Sequence, residues 1–152
     1  EDNVDLLSLV HDCVEQLSPH FSAGHLSVYV TGEGFTLCGN QRQLWELVYN
    51  LLDNARRYNV NGGMIRISVQ DYVLSIKDTG IGIPKEHQSR IFKRFYRVDK
   101  SHSRATGGTG LGLSIVKHVA ELHQATVELE STEHIGTEIR GCFSCWIYLA
   151  FT

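Results

Sequence analysis

Apolar positions along this chain switch between helical and strand spacing. Val4 to Leu17 repeats apolar residues at helical intervals and stops short of Pro19, which predicts a first helix. Leu26–Val30 alternates as a strand does, Gly32 and Gly34 mark a turn, and Phe35–Cys38 reads as a short partner strand. Asn40 is placed to cap a long helix running to about Tyr58. After the break at Asn61-Gly62-Gly63, Met64–Val69 and Val73–Lys77 predict a hairpin joined at Gln70-Asp71. Asp78 to Pro84 is a loop, and Pro84 suits the first turn of a helix from Lys85 to about Phe92. Residues 98–108 have no period and are rich in Ser, Gly and charge, which predicts a mobile loop. Leu111–His123 is helical, Thr126–Glu130 is a strand, and a last strand follows Gly136. There is no internal repeat, and the mixture predicts a two-layer α/β sandwich.

Composition narrows this to one domain over residues 1–152, with 42% hydrophobic and 20% charged content. A chain of this size buries roughly 68–70% of its unfolded surface, enough to fold without disulfides or a structural metal. No run approaches the roughly 18 apolar residues of a membrane span. No signal peptide opens the chain, and its start at Glu1 rather than Met leads us to expect a piece of a longer protein. Of the four cysteines, Cys142 and Cys145 form one Cys-x-x-Cys. Without a second pair it speaks less for zinc or redox chemistry than for small buried residues of a terminal strand. Thiols of this kind read as reduced and the compartment as cytosolic.

The net charge of −3 argues against a general nucleic-acid surface, but it is unevenly spread. Residues 90–104 carry six cations against one anion, while the rest carries 8 cations against 16 anions. A basic segment on an acidic body suits one compact polyanion better than a duplex; a solvated basic surface helix is the alternative.

On the long helix, Leu44, Leu47, Val48, Leu51 and Ala55 share a core stripe at about 100° per residue. Glu46, Asn50, Asn54 and Arg57 fall on the adjacent stripe, with Tyr58 at its border. Asparagine is a mediocre helix former, so two of them beside the core lower stability. They are either solvated or hard-oxygen ligands for Mg²⁺ that already carries phosphates and waters. Arg57 would aim its fork at the same phosphates. The loop Asp78-Thr79-Gly80-Ile81-Gly82-Ile83 offers a carboxylate for an exocyclic amine and glycines that admit a flat base. Gly107-Gly108-Thr109-Gly110-Leu111-Gly112-Leu113-Ser114 opens a helix, an arrangement suited to an anion. It lacks the Gly-Lys-Ser/Thr of a P-loop and follows a loop rather than a strand, against a dinucleotide fingerprint. Either loop alone is compatible with a simple turn.

In this order, the motifs Asn50-Leu-Leu-Asp-Asn54-Ala-Arg-Arg57-Tyr58, Asp78-Thr-Gly-Ile-Gly82, Phe92-Lys-Arg-Phe-Tyr-Arg97 and Gly108-Thr-Gly-Leu-Gly112-Leu are specific. From about Val4 to Thr137 the chain resembles the catalytic and ATP-binding domain of bacterial sensor histidine kinases, on the fold shared with DNA gyrase, MutL and heat-shock ATPase chaperones. The resemblance implies a mixed, mostly antiparallel sheet of about five strands, covered on one face by about three helices, with a mobile ATP lid over residues 98–108. It implies Mg²⁺ on Asn54 with Asn50 assisting, the adenine amine on Asp78, and a base close to Gly80 and Gly82. Arg57 is expected to contact phosphate, Tyr58 to lie against the nucleotide, and Arg97 to reach the terminal phosphates. Gly108, Gly110 and Gly112 would hold phosphates at the lid hinge, with Ile83, Tyr96, Thr109, Leu111 and Leu113 along the same site. Lys100 and Arg104 receive no individual roles.

In hydrolysing relatives a glutamate stands four residues before the magnesium asparagine; here that position is Asn50, which accepts no proton at neutral pH. A histidine substrate needs no such base, because a neutral imidazole nitrogen is already a nucleophile. The resemblance therefore implies transfer of the γ-phosphoryl group to a histidine on the dimerisation domain of a homodimeric parent. Relay to a response-regulator receiver domain would follow. A nucleotide-sensing docking module and a hydrolytic ATPase are the alternatives. Nucleic acid is not an expected partner, and the implied parent is anchored in the bacterial inner membrane with this domain in the cytoplasm. His11-Asp12 looks superficially like an acceptor pair but lacks the continuation ending in Pro, and it reads as surface. Two stretches depart from the family. His123-Gln124-Ala125 replaces His-Gly-Gly, which questions that turn, and residues 141–152 form an atypical apolar ending.

Overall fold

Asp5 ends one element and begins the next. Its carboxylate accepts a hydrogen bond from the Ser8 amide at 3.2 Å, capping helix α1 (Leu6–Ala23) directly after strand β1 (Asp2–Asp5). Two expectations are corrected here. Val4 belongs to β1, opposite Leu37, and not to the helix. The helix also runs through Pro19 to Ala23, because Pro19 lies on the exposed side while Phe21 anchors the last turn in the core.

The computed structural model describes residues 2–97 and 111–143. Strand β2 (Ser27–Thr31) runs parallel to β4 (Met64–Gln70), and β3 (Thr36–Gly39) pairs antiparallel with β1. The expected pairing of Phe35–Cys38 with Leu26–Val30 is thus replaced by a separate two-stranded sheet. Helix α2 (Gln41–Arg57) is capped by the Asn40 side chain, which accepts from the Gln43 amide at 3.0 Å. Its predicted stripe of Leu44, Leu47, Val48, Leu51 and Ala55 is buried.

Strands β4 and β5 (Val73–Asp78) form the hairpin, whose two-residue turn is Asp71-Tyr72 rather than Gln70-Asp71. Both turn residues have positive φ, 54° and 62°, as the twist of a tight hairpin requires. Tyr72 tolerates this because its ring packs 5.2 Å from that of Phe35 and its carbonyl accepts from the Phe143 amide. Helix α3 (Gly112–Leu122) precedes β6 (Thr126–Thr132) and β7 (Gly136–Cys142), and the main sheet has the order β2-β4-β5-β7-β6. One core joins α1, α2 and α3 to one face of this sheet through Leu17, Leu51, Val119, Ile67, Leu74 and Ile139.

The predicted helix over Lys85–Phe92 is instead a 3₁₀ turn at Lys85–His87, followed by further three-residue turns. Only Ile91 there is a buried hydrophobic, so no apolar stripe holds a longer helix in place. The turn at His123-Gln124-Ala125 survives the loss of both glycines. Gln124 takes φ 53°, and the Ala125 amide donates to the Ala120 carbonyl at 2.8 Å, closing a Schellman-type cap. The lid expected over residues 98–108 lies outside the described residues, as do Cys145 and the remainder of the ending beyond Phe143. The described part of that ending continues β7, and Phe143 is buried against Phe35.

Candidate functional site

β5 delivers Asp78 to the end of the sheet, where it is only 7% exposed. Its Oδ1 accepts from the Gly80 amide at 2.9 Å and from the Thr137 amide at 3.3 Å. Among the described residues no donor reaches Oδ2. Burial raises the Asp78 pKa to about 6, outweighing the two backbone hydrogen bonds that pull it down.

The glycines that follow are dictated by the chain's own backbone. A Cβ on Gly80 would run into the Tyr58 carbonyl oxygen, which also accepts from the Ile81 amide at 2.9 Å. Gly82 has φ 70°, and a Cβ there would strike the Thr132 carbonyl. The loop is therefore wedged between the end of α2 and the β6–β7 hairpin. Ile83, expected along the site, is pinned at both its backbone polar groups. Its amide donates to Ser131 Oγ at 2.8 Å, and its carbonyl accepts from Gln88 Nε2 at 2.9 Å.

At the other end, Asn50 Nδ2 donates to the Glu46 carbonyl at 2.7 Å. This commits the nitrogen and turns Oδ1 toward the first turn of α3, where a Cβ on Gly112 would lie 3.1 Å from it. Asn50 and Gly112 thus meet where α2 packs on α3, and Asn54, one turn further along α2, is half-buried. Glu46 itself pairs with Arg42 at 3.8 Å on the surface. Arg57 Nε lies 2.8 Å from Asp53 Oδ2, while Arg56 takes Oδ1 of the same carboxylate at 2.8 Å. Tyr58 closes α2 as its C-cap residue. Asn50 and Tyr58 are eight residue steps apart along α2, about 12 Å at roughly 1.5 Å per step, so the helix joins the two ends.

Tyr96 hydrogen-bonds His87 through its hydroxyl, with the Arg90 guanidinium 5.6 Å from its ring centroid. Arg97 is partly buried at the limit of the described segment. Leu111 precedes α3, and Leu113 packs against the core. Gly108, Thr109, Gly110, Lys100 and Arg104 lie outside the described residues. His11 is exposed on α1, as expected of a surface residue. Sequence reasoning missed Asp53, Gln88, Ser131 and Thr137. Thr137 faces Asp78 across the β5–β7 pairing, which only strand register reveals.

The two-layer fold, one mixed five-stranded sheet under three helices, is that of histidine kinase-type ATPase domains. The family model for histidine kinase-, DNA gyrase B-, and HSP90-like ATPases matches residues 39–147, and the chain belongs to that family. It is similar to the sensor-like histidine kinase SenX3 of Mycolicibacterium smegmatis, 39% identical over 90% of this chain and 37% of that protein. It is similar also to the sensor histidine kinase RppB of Synechocystis, 38% identical over 83% of this chain and 29% of that one. The chain thus spans about a third of the length of these relatives. Among solved structures, the mycobacterial sensor histidine kinase MprB superposes with a TM-score of 0.80 at 26% identity, covering 94% of this chain and 99% of that one.

Proposed function

We propose that this chain binds Mg-ATP and is the phosphoryl-donating domain of a sensor histidine kinase in two-component signalling. Asp78 carries the reading. A buried carboxyl with one oxygen held by backbone amides, and the other reached by no donor among the described residues, suits a ligand that brings its own N–H. The exocyclic amine of adenine is such a donor.

The phosphate end is built for the other half of the ligand. Asn50 and Asn54 would hold Mg²⁺ through neutral carbonyl oxygens, and the bond that the Asn50 nitrogen makes to Glu46 leaves its oxygen beside Gly112 at the start of α3. When bound, the metal neutralises charge on the phosphate oxygens. Gly112 opens a helix N-terminus beside Asn50, Asp53 holds the Arg57 guanidinium at the end of α2, and Arg57 and Arg97 would supply cations to the phosphates. Position 50 carries an amide and takes up no proton, which favours an attacker that is already nucleophilic. A histidine imidazole on the parent's dimerisation domain meets that need. The bond between the γ-phosphorus and the bridging oxygen breaks as ADP leaves, a P–N bond forms, and the imidazole proton passes to solvent. A receiver-domain aspartate then accepts the phosphoryl group.

We place the domain in the cytoplasm of a membrane-anchored homodimer, in keeping with relatives that are sensor kinases. Among the described residues no helix is long and apolar enough to cross a membrane. Calorimetry with Mg-ADP tests binding, and [γ-³²P]ATP tests transfer. The isolated chain is expected to bind nucleotide without labelling itself, and to label a dimerisation domain supplied in trans. Absence of nucleotide uptake, or label on the isolated chain, overturns the reading.

A further inference from the structure

The geometry points to Gln88, acting with Ser131, as a positioning residue that sets base selectivity at Asp78. This rests on the nucleotide reading above and goes beyond it, since neither side chain belongs to the motifs that mark the site. Gln88 Nε2 donates to two carbonyls at once, that of Ile83 at 2.9 Å and that of Ser131 at 3.1 Å. One amide group thereby ties the glycine loop to the β6–β7 hairpin across 43 residues of sequence. Ser131 completes the tie from the opposite side, its Oγ accepting from the Ile83 amide at 2.8 Å. The same Oγ lies 3.1 Å from the Gly136 carbonyl and 2.8 Å from Thr137 Oγ1. The Thr137 amide in turn donates to Asp78 Oδ1.

A continuous path of hydrogen bonds therefore runs from Gln88 through Ile83, Ser131 and Thr137 to the carboxylate. Removing the Gln88 amide frees the Ile83 carbonyl and loosens the loop that carries Gly80, the other donor to Oδ1. The carboxylate then holds its angle less strictly, and a ligand that needs a well-aimed acceptor loses more than one that does not. Adenine, with an amine, should suffer; hypoxanthine, with a carbonyl in the same place, should suffer little.

The test is calorimetry of Mg-ADP and Mg-IDP on the wild type, Gln88→Met and Ser131→Ala. Gln88→Met keeps the side-chain length while deleting both hydrogen bonds, so it separates the polar role from packing. The wild type should prefer ADP over IDP, and Gln88→Met should weaken ADP binding roughly 5- to 20-fold while leaving IDP within about twofold, as expected for about 1–2 kcal/mol of lost alignment. Melting without nucleotide guards against simple unfolding. Should Ser131→Ala fail to fold, Gln88→Met alone decides. A preference for ADP that Gln88→Met leaves unchanged, or an equal loss for both nucleotides, overturns the positioning role and leaves the nucleotide reading intact. A wild type that binds neither nucleotide overturns the nucleotide reading, and the positioning role with it.

Discussion

At the Asp78 end of the site the chain holds its residues by backbone, and at the Asn50 end by side chains projecting from a helix. Asp78 is aimed by two amide N–H groups, and its loop is wedged between the Tyr58 and Thr132 carbonyls. Asn50 and Arg57 are aimed by α2 neighbours one turn away, Glu46 and Asp53. The first arrangement is rigid but unfavourable when empty, because a carboxylate is buried without a cation beside it among the described residues. The second is half-exposed and polar, with little energetic penalty in the absence of ligand. Binding and stability are thus opposed at one end and nearly independent at the other.

The largest effect that sharpens this contrast is Asn54→Ala. On the proposed role of Asn54 as a metal ligand, its loss should weaken Mg²⁺-dependent nucleotide binding by about 100-fold or more, beyond the 10–100-fold typical of outer-shell partners. Melting without nucleotide should stay within about 2 °C of wild type, since the side chain is half-buried and outside the core. A collapse in melting temperature would make that helix flank structural and break the contrast.

Asp78→Asn should behave oppositely, losing affinity while gaining stability. The replacement keeps an oxygen for the Gly80 and Thr137 amides but turns an N–H toward the adenine amine. ADP affinity should fall about 10- to 100-fold, the worth of a hydrogen bond to a charged group. At pH 8 the unliganded protein should gain on the order of 3 kcal/mol, the equivalent of the rise from 3.8 to about 6. Chemical denaturation at pH 8 checks it, and a destabilised Asp78→Asn would refute the buried-charge argument.

What the sequence made legible divides along the same line. The flank of α2 was readable because helical period is local: Asn40 caps, Leu44 to Ala55 bury, and Asn50, Asn54 and Arg57 follow by angle. Gly80 and Gly82 were read as admitting a flat base; that the Tyr58 and Thr132 carbonyls leave no room for a Cβ at either was not legible. The partner of β3 was not, since alternation marks a strand without saying what it pairs with. Thr137, Ser131 and Gln88 escaped for the same reason. Each reaches the site through register or hydrogen bonds spanning tens of residues, which no local pattern encodes.

A smaller effect follows from titrating Asp78 itself. Its folded pKa is raised, so between 3.8 and about 6 the folded state holds a proton that the unfolded state has released. The stability tied to that proton is full below 3.8 and is lost as pH rises through about 6. Affinity runs the other way. An amine donor needs the ionised form, so ADP binding should weaken about tenfold per pH unit below about 6 and be level above 7. Asp78→Asn should abolish both slopes. Calorimetry in two buffers of different ionisation enthalpy at pH 6 should register proton release on binding by the wild type alone, and proton uptake would reverse the assignment.

The smallest expected effect uses a residue remote from both ends. Gln124 holds φ 53° at the cap of α3, a conformation that costs an L residue roughly 1 kcal/mol and a glycine almost nothing. Gln124→Gly should therefore raise stability by about 0.5–1 kcal/mol, less what glycine gives back in unfolded-chain entropy. That is a shift of about 1–4 °C for a chain of this length. Nucleotide affinity should not move, because α3 meets the site at Gly112, at the opposite end of the helix. His123 beside it accepts from the Asn40 amide at 3.1 Å and reaches the Val119 carbonyl at 2.8 Å, so the α2–α3 contact is tied independently of the cap. If Gln124→Gly changes Mg-ADP affinity by more than about twofold, the seating of α3 controls the phosphate end. That end would then depend on backbone geometry as the Asp78 end does.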